Sequence, residues 1–376
     1  MSVVSYNTLC DRGATSAQYG YTSPDHLAWS HRKDLILNEC RDRNPDILCL
    51  QEVEQDAWNE FFRPELARDG YKSAFWAKAR ARTMALSEAK SVDGCATFFK
   101  ANKWILLDKQ TIDFANVAIN RPDMKAEADI FNRVMPRDHV ALCTFLENRW
   151  TGARLLVVNT HVEWNPVYQD VKLVQTAILM EQVARLAETY ARMPACKDKK
   201  LYKYADGDND SETNAADPSE PPPEPAPSQE YSSGAQIPVV ICGDFNSTTD
   251  SGVYSLIADG SLPRDHPDLG DFRYGNFTRD GMSHPFTLKS AYDKKQMPFT
   301  NYTPGFTDMI DYIWYSSNAM QVTGLLGEVD KEYLQRVPGF PNVHFPSDHL
   351  AVMAEFVFKQ RKGQGPLAIG GAGSSR

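Results

Sequence analysis

Short apolar runs, each ending in polar or turn-forming residues, recur along the chain and restrict the folds it can adopt. A continuous apolar run of this length between turn signals is typical of a buried β-strand. Helical patterns lie between some of these runs, at Trp29–Arg43 and at residues 171–192, where apolar residues recur at spacings of three and four. The sequence therefore predicts an α/β sandwich. The predicted strands are residues 3–6, 47–50, 96–99, 140–145, 155–158, 239–242, 310–315 and 351–358.

Polar side chains stand at the ends of these predicted strands. Strands of packed sheets deliver their terminal residues to one rim, and hard oxygen ligands gathered there suit Mg²⁺. Each residue alone is a weak signal, because a Glu after a strand is usually solvated and an Asp-His pair usually lies in a surface turn. The ordered set carries the prediction of a metal site. Its members are Asn7, Gln51, Glu52, Thr160, His161, Asp244, Asn246, Asp311, Asp348 and His349.

This ordered set resembles that of the endonuclease/exonuclease/phosphatase superfamily. The family's marks occur here in the expected order, with no departure at a catalytic position. The resemblance implies an α/β fold, a four-layer αββα sandwich with two packed β-sheets flanked by helices and a metal site at one end. The matching motifs are Asn7, Gln51-Glu52, Thr160-His161, Gly243-Asp244-Phe245-Asn246 and Ser347-Asp348-His349.

Further matching segments lie between the motifs, at residues 5–10, 77–82, 92–95, 170–175, 299–303, 308–314 and 324–329. They resemble the nuclease domain of the carbon-catabolite-repressor-type poly(A) deadenylases. That resemblance implies a Mg²⁺-dependent 3′-to-5′ exoribonuclease that shortens poly(A) tails and releases 5′-AMP. It also implies two Mg²⁺ ions, for which Mn²⁺ can substitute, and a location in the cytoplasm and also the nucleus.

The same resemblance implies two kinds of partner. The first is single-stranded poly(A) RNA. The second is the set of other subunits of the cytoplasmic deadenylase complex, reached through a leucine-rich-repeat segment that is absent from this chain. We therefore expect the chain to be part of a longer protein.

Roles for the metal-site residues follow as hypotheses. Two metals can clamp the attacking and the leaving oxygen of an in-line displacement. We expect Glu52 to be the main ligand of one Mg²⁺, with Asn7 near it. We assign Asp244, Asn246 and His349 to the second metal or to the attacking water. Asp244 is the best candidate for the general base, as a carboxylate within reach of a water of lowered pKa.

The remaining polar residues are assigned to the phosphate and to the histidines. We expect His161 and His349 to donate to the non-bridging phosphate oxygens, where negative charge develops. Asp311 or Asp348 would hold a histidine in the required tautomer and orientation, and the sequence does not choose between them.

Recognition of the base requires flat or aromatic surfaces, since stacking holds unpaired bases. The family resemblance points to Phe306 and Pro166 as the walls of an adenine pocket, with Asn246 bonding the terminal nucleotide. Packing in the core is the alternative for Phe306. Lys78, Arg80 and Arg82 alternate with alanines and are either a solvated strand face or a track for phosphates.

One stretch does not fit the core. Residues 196–236 contain four lysines, nine acidic residues and many prolines, and are predicted to be a disordered surface loop. A loop that docks a partner is the alternative. The Gly-rich residues 361–376 are predicted to be a flexible tail, which leaves residues 1–360 as the nuclease domain.

Composition excludes several classes of protein. With 40 basic and 49 acidic residues the formal net charge is −9, which argues against a protein that passively coats nucleic acid. No apolar run is long enough to span a membrane, and the first residues do not resemble a signal peptide. The seven cysteines form no C-x-x-C pair and are expected to be reduced thiols.

Two rival functions remain open. Another enzyme of the same fold would use the same metal residues. Examples are a DNA-repair endonuclease, an inositol-phosphate phosphatase, a sphingomyelinase and a small-nucleotide phosphatase. The second rival is an inactive scaffold that binds partners through the acidic loop, and the intact set of polar residues argues against it.

Overall fold

Two six-stranded β-sheets pack face to face at the centre of the protein. The structure, a computed structural model, describes residues 1–200 and 224–360. Its strands are β1 (Ser2–Asn7), β2 (Ile47–Glu54), β3 (Tyr71–Ala77), β4 (Asp93–Lys100), β5 (Trp104–Asp113), β6 (Val140–Asn148), β7 (Arg154–His161), β8 (Val239–Asp244), β9 (Ser261–Leu262), β10 (Met282–Ser283), β11 (Leu288–Ser290), β12 (Asn301–Thr303), β13 (Phe306–Asp308), β14 (Asp311–Ser316), β15 (Met320–Leu325) and β16 (Val352–Phe358).

The first sheet has the strand order β15-β16-β1-β2-β4-β3 and the second has the order β11-β14-β8-β7-β6-β5. In the first sheet β1 runs parallel to β2, and in the second β7 runs parallel to β8, whereas all other neighbours are antiparallel. Two further pairs, β9 with β10 and β12 with β13, lie outside these sheets. All eight predicted strands are confirmed as members of the two large sheets.

The two long helices lie on opposite outer faces of the sheets. The predicted helix Trp29–Arg43 is confirmed, and the second predicted helix is found at Gln169–Ala191. This arrangement confirms the predicted four-layer sandwich. The α-helices are α1 (Pro24–Leu27), α2 (Trp29–Arg43), α3 (Gln55–Ala57), α4 (Arg63–Arg68), α5 (Leu86–Ala89), α6 (Phe114–Asn120), α7 (Gln169–Ala191), α8 (Gly252–Asp259), α9 (Asn276–Arg279) and α10 (Lys331–Leu334).

The alternation of side chains along each strand divides the core into two layers. Successive side chains of a strand point to opposite faces of the sheet. In β1, Val3 packs into the cluster between the sheets, whereas its neighbour Val4 packs with Ile36 of helix α2. In β2, Ile47 likewise packs between the sheets, and Leu48 packs in the cluster that includes Ile36. Because both faces of these strands are buried, the sequence shows continuous apolar runs.

A buried polar bridge joins the sheets close to the ends of their central strands. The Nε2 atom of Gln51 in the first sheet donates to Oδ1 of Asn159 in the second at 2.8 Å. The Asn159 Nδ2 group donates two hydrogen bonds, to the carbonyl oxygens of Leu50 at 3.0 Å and Ala96 at 2.9 Å. Buried amides are costly to leave unpaired, so this network favours one relative placement of the sheets.

The described ends of the acidic segment pack against the second sheet. The Ser228 hydroxyl donates to Oε1 of Glu147 at 2.8 Å, and it accepts the backbone N–H of Cys196 at 2.9 Å. Tyr231 is buried, and a 3₁₀ turn follows at Gly234–Gln236. The prediction of disorder over all of residues 196–236 is therefore wrong for these ends. Residues 201–223 and the predicted tail, 361–376, lie outside the described residues. No helix in the described ranges has the length and apolar character needed to cross a membrane.

Candidate active site

Central strands of both sheets end at the same edge of the sandwich. In the first sheet, Asn7 at the end of β1 pairs with Gln51 of β2. In the second, His161 at the end of β7 pairs with Asp244 at the end of β8. Strand β14 is antiparallel to β8 and therefore begins there, with Asp311 directly opposite Asp244. Topology thus gathers polar residues that are distant in sequence.

Asn7 links carboxylates that come from different sheets. Its Nδ2 group donates to Oδ2 of Asp244 at 2.9 Å and to Oε1 of Glu52 at 3.2 Å. The other Glu52 oxygen accepts the backbone N–H of Cys10 at 3.0 Å. Glu52 has a φ of +55° and lies where the register between β2 and β4 shifts. A positive φ is uncommon for a residue with a side chain, and such strain clusters at functional sites.

His349 is oriented by Asp311. Its Nδ1 atom lies 2.8 Å from Oδ2 of Asp311, and the same oxygen accepts the hydroxyl of Thr300 at 2.6 Å. The opposite ring nitrogen, Nε2, lies 3.6 Å from Oδ2 of Asp244. Of the two candidates that the sequence left open, Asp311 is therefore the one bonded to a histidine.

Asp348 belongs to a neighbouring network. Its Oδ2 atom accepts the Tyr19 hydroxyl at 2.9 Å and the Asn301 amide at 3.1 Å, and it lies 4.0 Å from Nε2 of His349. Sequence reasoning missed Tyr19 and Asn301. Tyr19 belongs to no recognisable motif and reaches the site through the packing of a loop. Asn301 lies in the matching segment 299–303 and reaches the site as the first residue of β12.

His161 stands between the two linked carboxylates. Its Nε2 atom lies 3.5 Å from Oδ2 of Asp244, and its Nδ1 atom lies 4.0 Å from Oε1 of Glu52. Burial lowers the pKa of His161 below its ordinary value, despite the attraction of Asp244. Burial would also lower the pKa of His349, but the carboxylates of Asp311, Asp348 and Asp244 outweigh it, so that pKa is raised.

The basic run 78–82 forms ion pairs behind the site. Lys78 and Arg80 each contact Asp93 at 2.7 Å, and Arg80 also contacts Asp138 at 2.7 Å. Lys78 is largely buried. Lys78 therefore lies neither on a solvated strand face nor on a phosphate track, the two hypotheses from the sequence. Burial alone would raise the pKa of Glu52, but His161, Lys78 and other groups outweigh it, so that pKa is lowered.

The residues present fit a divalent cation. Within the described residues, Asp244, Asp311 and His349 each offer a ligand atom, and these atoms lie within 4.8 Å of one another. The Oδ1 atom of Asp311 is buried and has no hydrogen-bond partner among the described residues. Burial, and then the adjacent Asp311 carboxylate, raise the pKa of Asp244. A bound cation would compensate these crowded buried charges, and carboxylate oxygens are ligands suited to Mg²⁺.

The predicted substrate-binding residues lie in less regular segments. The Asn246 backbone N–H donates to Oδ1 of Asp244 at 2.8 Å, and its side-chain amide donates to the Val162 carbonyl at 3.2 Å. Pro166 is exposed and begins a 3₁₀ turn. Phe306 begins β13 and is 45% exposed, which is inconsistent with the core-packing alternative. The structure thus leaves Pro166 and Phe306 accessible to a ligand.

Comparison with known proteins identifies the family. The model of the Endonuclease/Exonuclease/phosphatase family matches residues 4–349. The chain belongs to this family. Curated relatives named "CCR4-Not complex 3′-5′-exoribonuclease subunit Ccr4" include those of Phaeosphaeria nodorum, 58% identical, and Coccidioides immitis, 57% identical. Each match covers 96% of this chain but only 60% and 47% of those relatives.

Solved structures share the fold. A crystal structure of ANGEL2, a 2′,3′-cyclic phosphatase, in complex with adenosine-2′,3′-vanadate has a TM-score of 0.69 and 25% identity, over 95% of both chains. The human Nocturnin catalytic domain with bound sulfate has a TM-score of 0.58 and 22% identity, over 96% of this chain and 94% of that one. These likenesses support the αββα architecture.

Proposed function

We propose that this chain is a Mg²⁺-dependent 3′-to-5′ exoribonuclease that shortens poly(A) tails and releases 5′-AMP. The observation that carries the proposal is the buried cluster of Asp244, Asp311 and His349, with Glu52 joined to it by Asn7. The names of the relatives support RNA as the substrate and the 3′ end as the starting point.

The proposed reaction is hydrolysis of the phosphodiester bond before the last nucleotide. Glu52, Asp244 and Asp311 would hold the metal, which supplies charge stabilisation and lowers the pKa of bound water. Two Mg²⁺ ions are proposed, with Mn²⁺ as a substitute. The oxygen of water bonds to phosphorus, and the bond from phosphorus to the leaving 3′-oxygen breaks. That oxygen takes a proton from solvent and becomes the 3′-hydroxyl of the shortened strand.

The chain's own residues position the phosphate and move the proton. Asp244 takes the proton of the attacking water, since its carboxylate is held in place by Asn7 and by the Asn246 N–H. His161 and His349 flank Asp244 at 3.5 and 3.6 Å and would donate to the non-bridging oxygens. Asp311 keeps His349 oriented.

Recognition of adenine is assigned to the exposed residues beside the site. Phe306 and Pro166 would enclose the terminal base, and Asn246 would bond its nucleotide. Stacking on an exposed aromatic ring is a common way to hold an unpaired base. We further propose that the chain acts with other subunits of the CCR4-Not complex, in the cytoplasm and also in the nucleus.

The proposal is tested with a 5′-labelled RNA ending in about twenty adenosines, a length that exceeds a typical single-strand site. With Mg²⁺ we expect a ladder that shortens from the 3′ end, release of 5′-AMP and slowing at non-adenosine sequence. EDTA should abolish the ladder. An RNA that stays intact with Mg²⁺ would contradict the proposal. Assays on 2′,3′-cyclic phosphate ends, DNA, inositol phosphates and small nucleotides would then identify which rival enzyme of the fold it is.

A further inference from the structure

Trp164 is the most exposed aromatic side chain among the described residues, at 65%. It lies beside the active site, three positions after His161 and two before Pro166. Because a chain extends at most about 3.6 Å per residue, its Cα atom is within about 11 Å of that of His161. Neither the proposed metal site nor the proposed adenine pocket includes Trp164.

Hydrogen bonds hold the backbone on both sides of Trp164. The Val162 N–H donates to the Asp244 carbonyl at 3.1 Å, and the Glu163 N–H donates to Oε1 of Gln175 at 2.9 Å. After it, the Asn165 N–H donates to Oε1 of Glu163 at 3.0 Å. The loop is thus fixed to β8 and to α7, while the indole projects from it into solvent. A rigid, exposed aromatic surface of this kind is suited to stacking.

The acidic groups beside this loop are balanced by arginines. Arg137 lies 3.4 Å from the Glu163 carboxylate, and Arg133 contacts both oxygens of Asp170, at 2.6 and 2.8 Å. The Arg137 guanidinium also lies 3.9 Å from the centre of the Tyr168 ring. The negative charge of an RNA strand would therefore meet compensated carboxylates here.

We propose that Trp164 is a stacking platform for an RNA base on the 5′ side of the scissile phosphate. The inference rests on the proposed function. A 3′-exonuclease that releases one nucleotide has only that nucleotide on the 3′ side of the bond it breaks. Phe306 and Pro166 are assigned to the base of that nucleotide, so any further base that binds beside the active site belongs to the 5′ side. Stacking accepts every base, so this subsite would select a single strand rather than a sequence.

The test compares two RNAs that end in the same adenosine. One is an all-adenosine strand, and in the other the nucleotides just before the terminal adenosine lack bases. We expect Trp164→Ala to raise KM about tenfold on the first RNA, which is the usual order for loss of one stacked base, and to leave KM on the second unchanged. Trp164→Tyr should restore most of the loss.

Trp150 offers a matched control. It is also exposed, at 42%, but it lies before β7, whose other end carries His161. Trp150→Ala should leave KM unchanged on both RNAs. Tryptophan emission provides a second measurement: in EDTA, RNA binding should quench it in the wild type and in Trp150→Tyr, but not in Trp164→Tyr.

An unchanged KM in Trp164→Ala on both RNAs would overturn the inference and favour a protein contact at this side chain. An equal rise on both RNAs would also overturn it, because the loss would then not depend on the base. Failure of the wild type to cleave either RNA would instead reject the proposed function, and the subsite with it.

Discussion

The centre of the site and its rim are built in opposite ways. The centre consists of Glu52, Asp244, Asp311 and His349. The three carboxylates lie on strands of the two large sheets, and His349 is held by its hydrogen bond to Asp311. Asp244 is 1% exposed. The rim consists of Trp164, Pro166 and Phe306, which are exposed and lie outside the two large sheets.

The difference reflects what each region has to do. Stabilising charge in a transition state requires groups that are oriented before the substrate arrives. Holding a single strand requires aromatic or apolar surface that is exposed in the free protein and becomes covered when the strand binds. We therefore expect changes at the centre to lower kcat and changes at the rim to raise KM.

The two regions are nevertheless attached to each other. Thr300, just before the β12–β13 pair that carries Phe306, donates to Asp311 at 2.6 Å, and Asn301 donates to Asp348 at 3.1 Å. On the other side, the Asn246 side chain donates to the Val162 carbonyl, next to the Trp164 loop. A substitution at the rim therefore reports on recognition only if kcat is measured as well.

The largest effect is expected for Asp244→Asn. Its Oδ2 atom lies 2.9 Å from Asn7, 3.5 Å from His161 and 3.6 Å from His349, so the change removes both a metal ligand and the proton acceptor. We expect kcat to fall by at least about 10³-fold in steady-state release of 5′-AMP, with little change in KM.

The metal-free protein supplies the control for this variant. Burial and Asp311 raise the pKa of Asp244, so the folded state disfavours its charge at neutral pH. Removing that charge should leave the melting temperature in EDTA unchanged or higher. A lower melting temperature with a proportional loss of kcat would show that the variant merely fails to fold.

A smaller effect is expected for Asp311→Asn, which weakens one metal ligand and removes the charged partner of His349 but leaves the proton acceptor, Asp244, in place. Loss of such a supporting carboxylate commonly costs about 10- to 100-fold. We expect a fall of that size in kcat and a higher Mg²⁺ concentration at half-maximal rate. Asp348→Asn should cost less, because Asp348 lies 4.0 Å from the ring. The reverse order would assign the orienting role to Asp348.

A loss of about tenfold in kcat is expected for Tyr19→Phe, which removes one hydrogen bond to the Asp348 carboxylate. The ring would remain packed with Leu9 and Leu27. Tyr21→Phe is the matched control, since its hydroxyl donates to the Phe340 carbonyl rather than to a carboxylate. Equal effects of the two changes would show that Tyr19 acts only through the stability of the loop.

The smallest effect is expected for Phe306→Ala. The preference for poly(A) over poly(U), measured as the ratio of kcat/KM, should fall about fivefold through KM, as expected for loss of one stacking contact. Because Phe306 is already 45% exposed, the fold should be retained. An equal fall on both RNAs would contradict a role in adenine recognition.

The central strands could be predicted because strands buried on both faces appear in the sequence as continuous apolar runs. Strand β5, at the edge of the second sheet, was not predicted, since exposed residues such as Lys109 and Gln110 interrupt its apolar pattern. The set of polar residues at the strand ends was also recognisable, as each one follows or begins a run. Both signals depend only on residues that are neighbours in the sequence.

The contacts between strand ends could not be predicted, because they depend on distances across the two sheets. The sequence offered Asp311 and Asp348 as equal candidates, and only the 2.8 Å contact to His349 distinguishes them. Lys78 was misread for the same reason, since its partner Asp93 lies on the neighbouring strand. Tyr19 reaches Asp348 through a loop that carries no motif.

The most direct test of the account is the first turnover of Glu52→Gln. Release of 5′-AMP would be measured on RNA ending in about twenty adenosines, with RNA and Mg²⁺ saturating. We expect a loss of more than about 10²-fold, with RNA binding unchanged, since Glu52 belongs to the centre and not to the rim. A variant that kept more than about a tenth of the wild-type rate would contradict the assignment of Glu52 as a metal ligand, and with it the account of the centre.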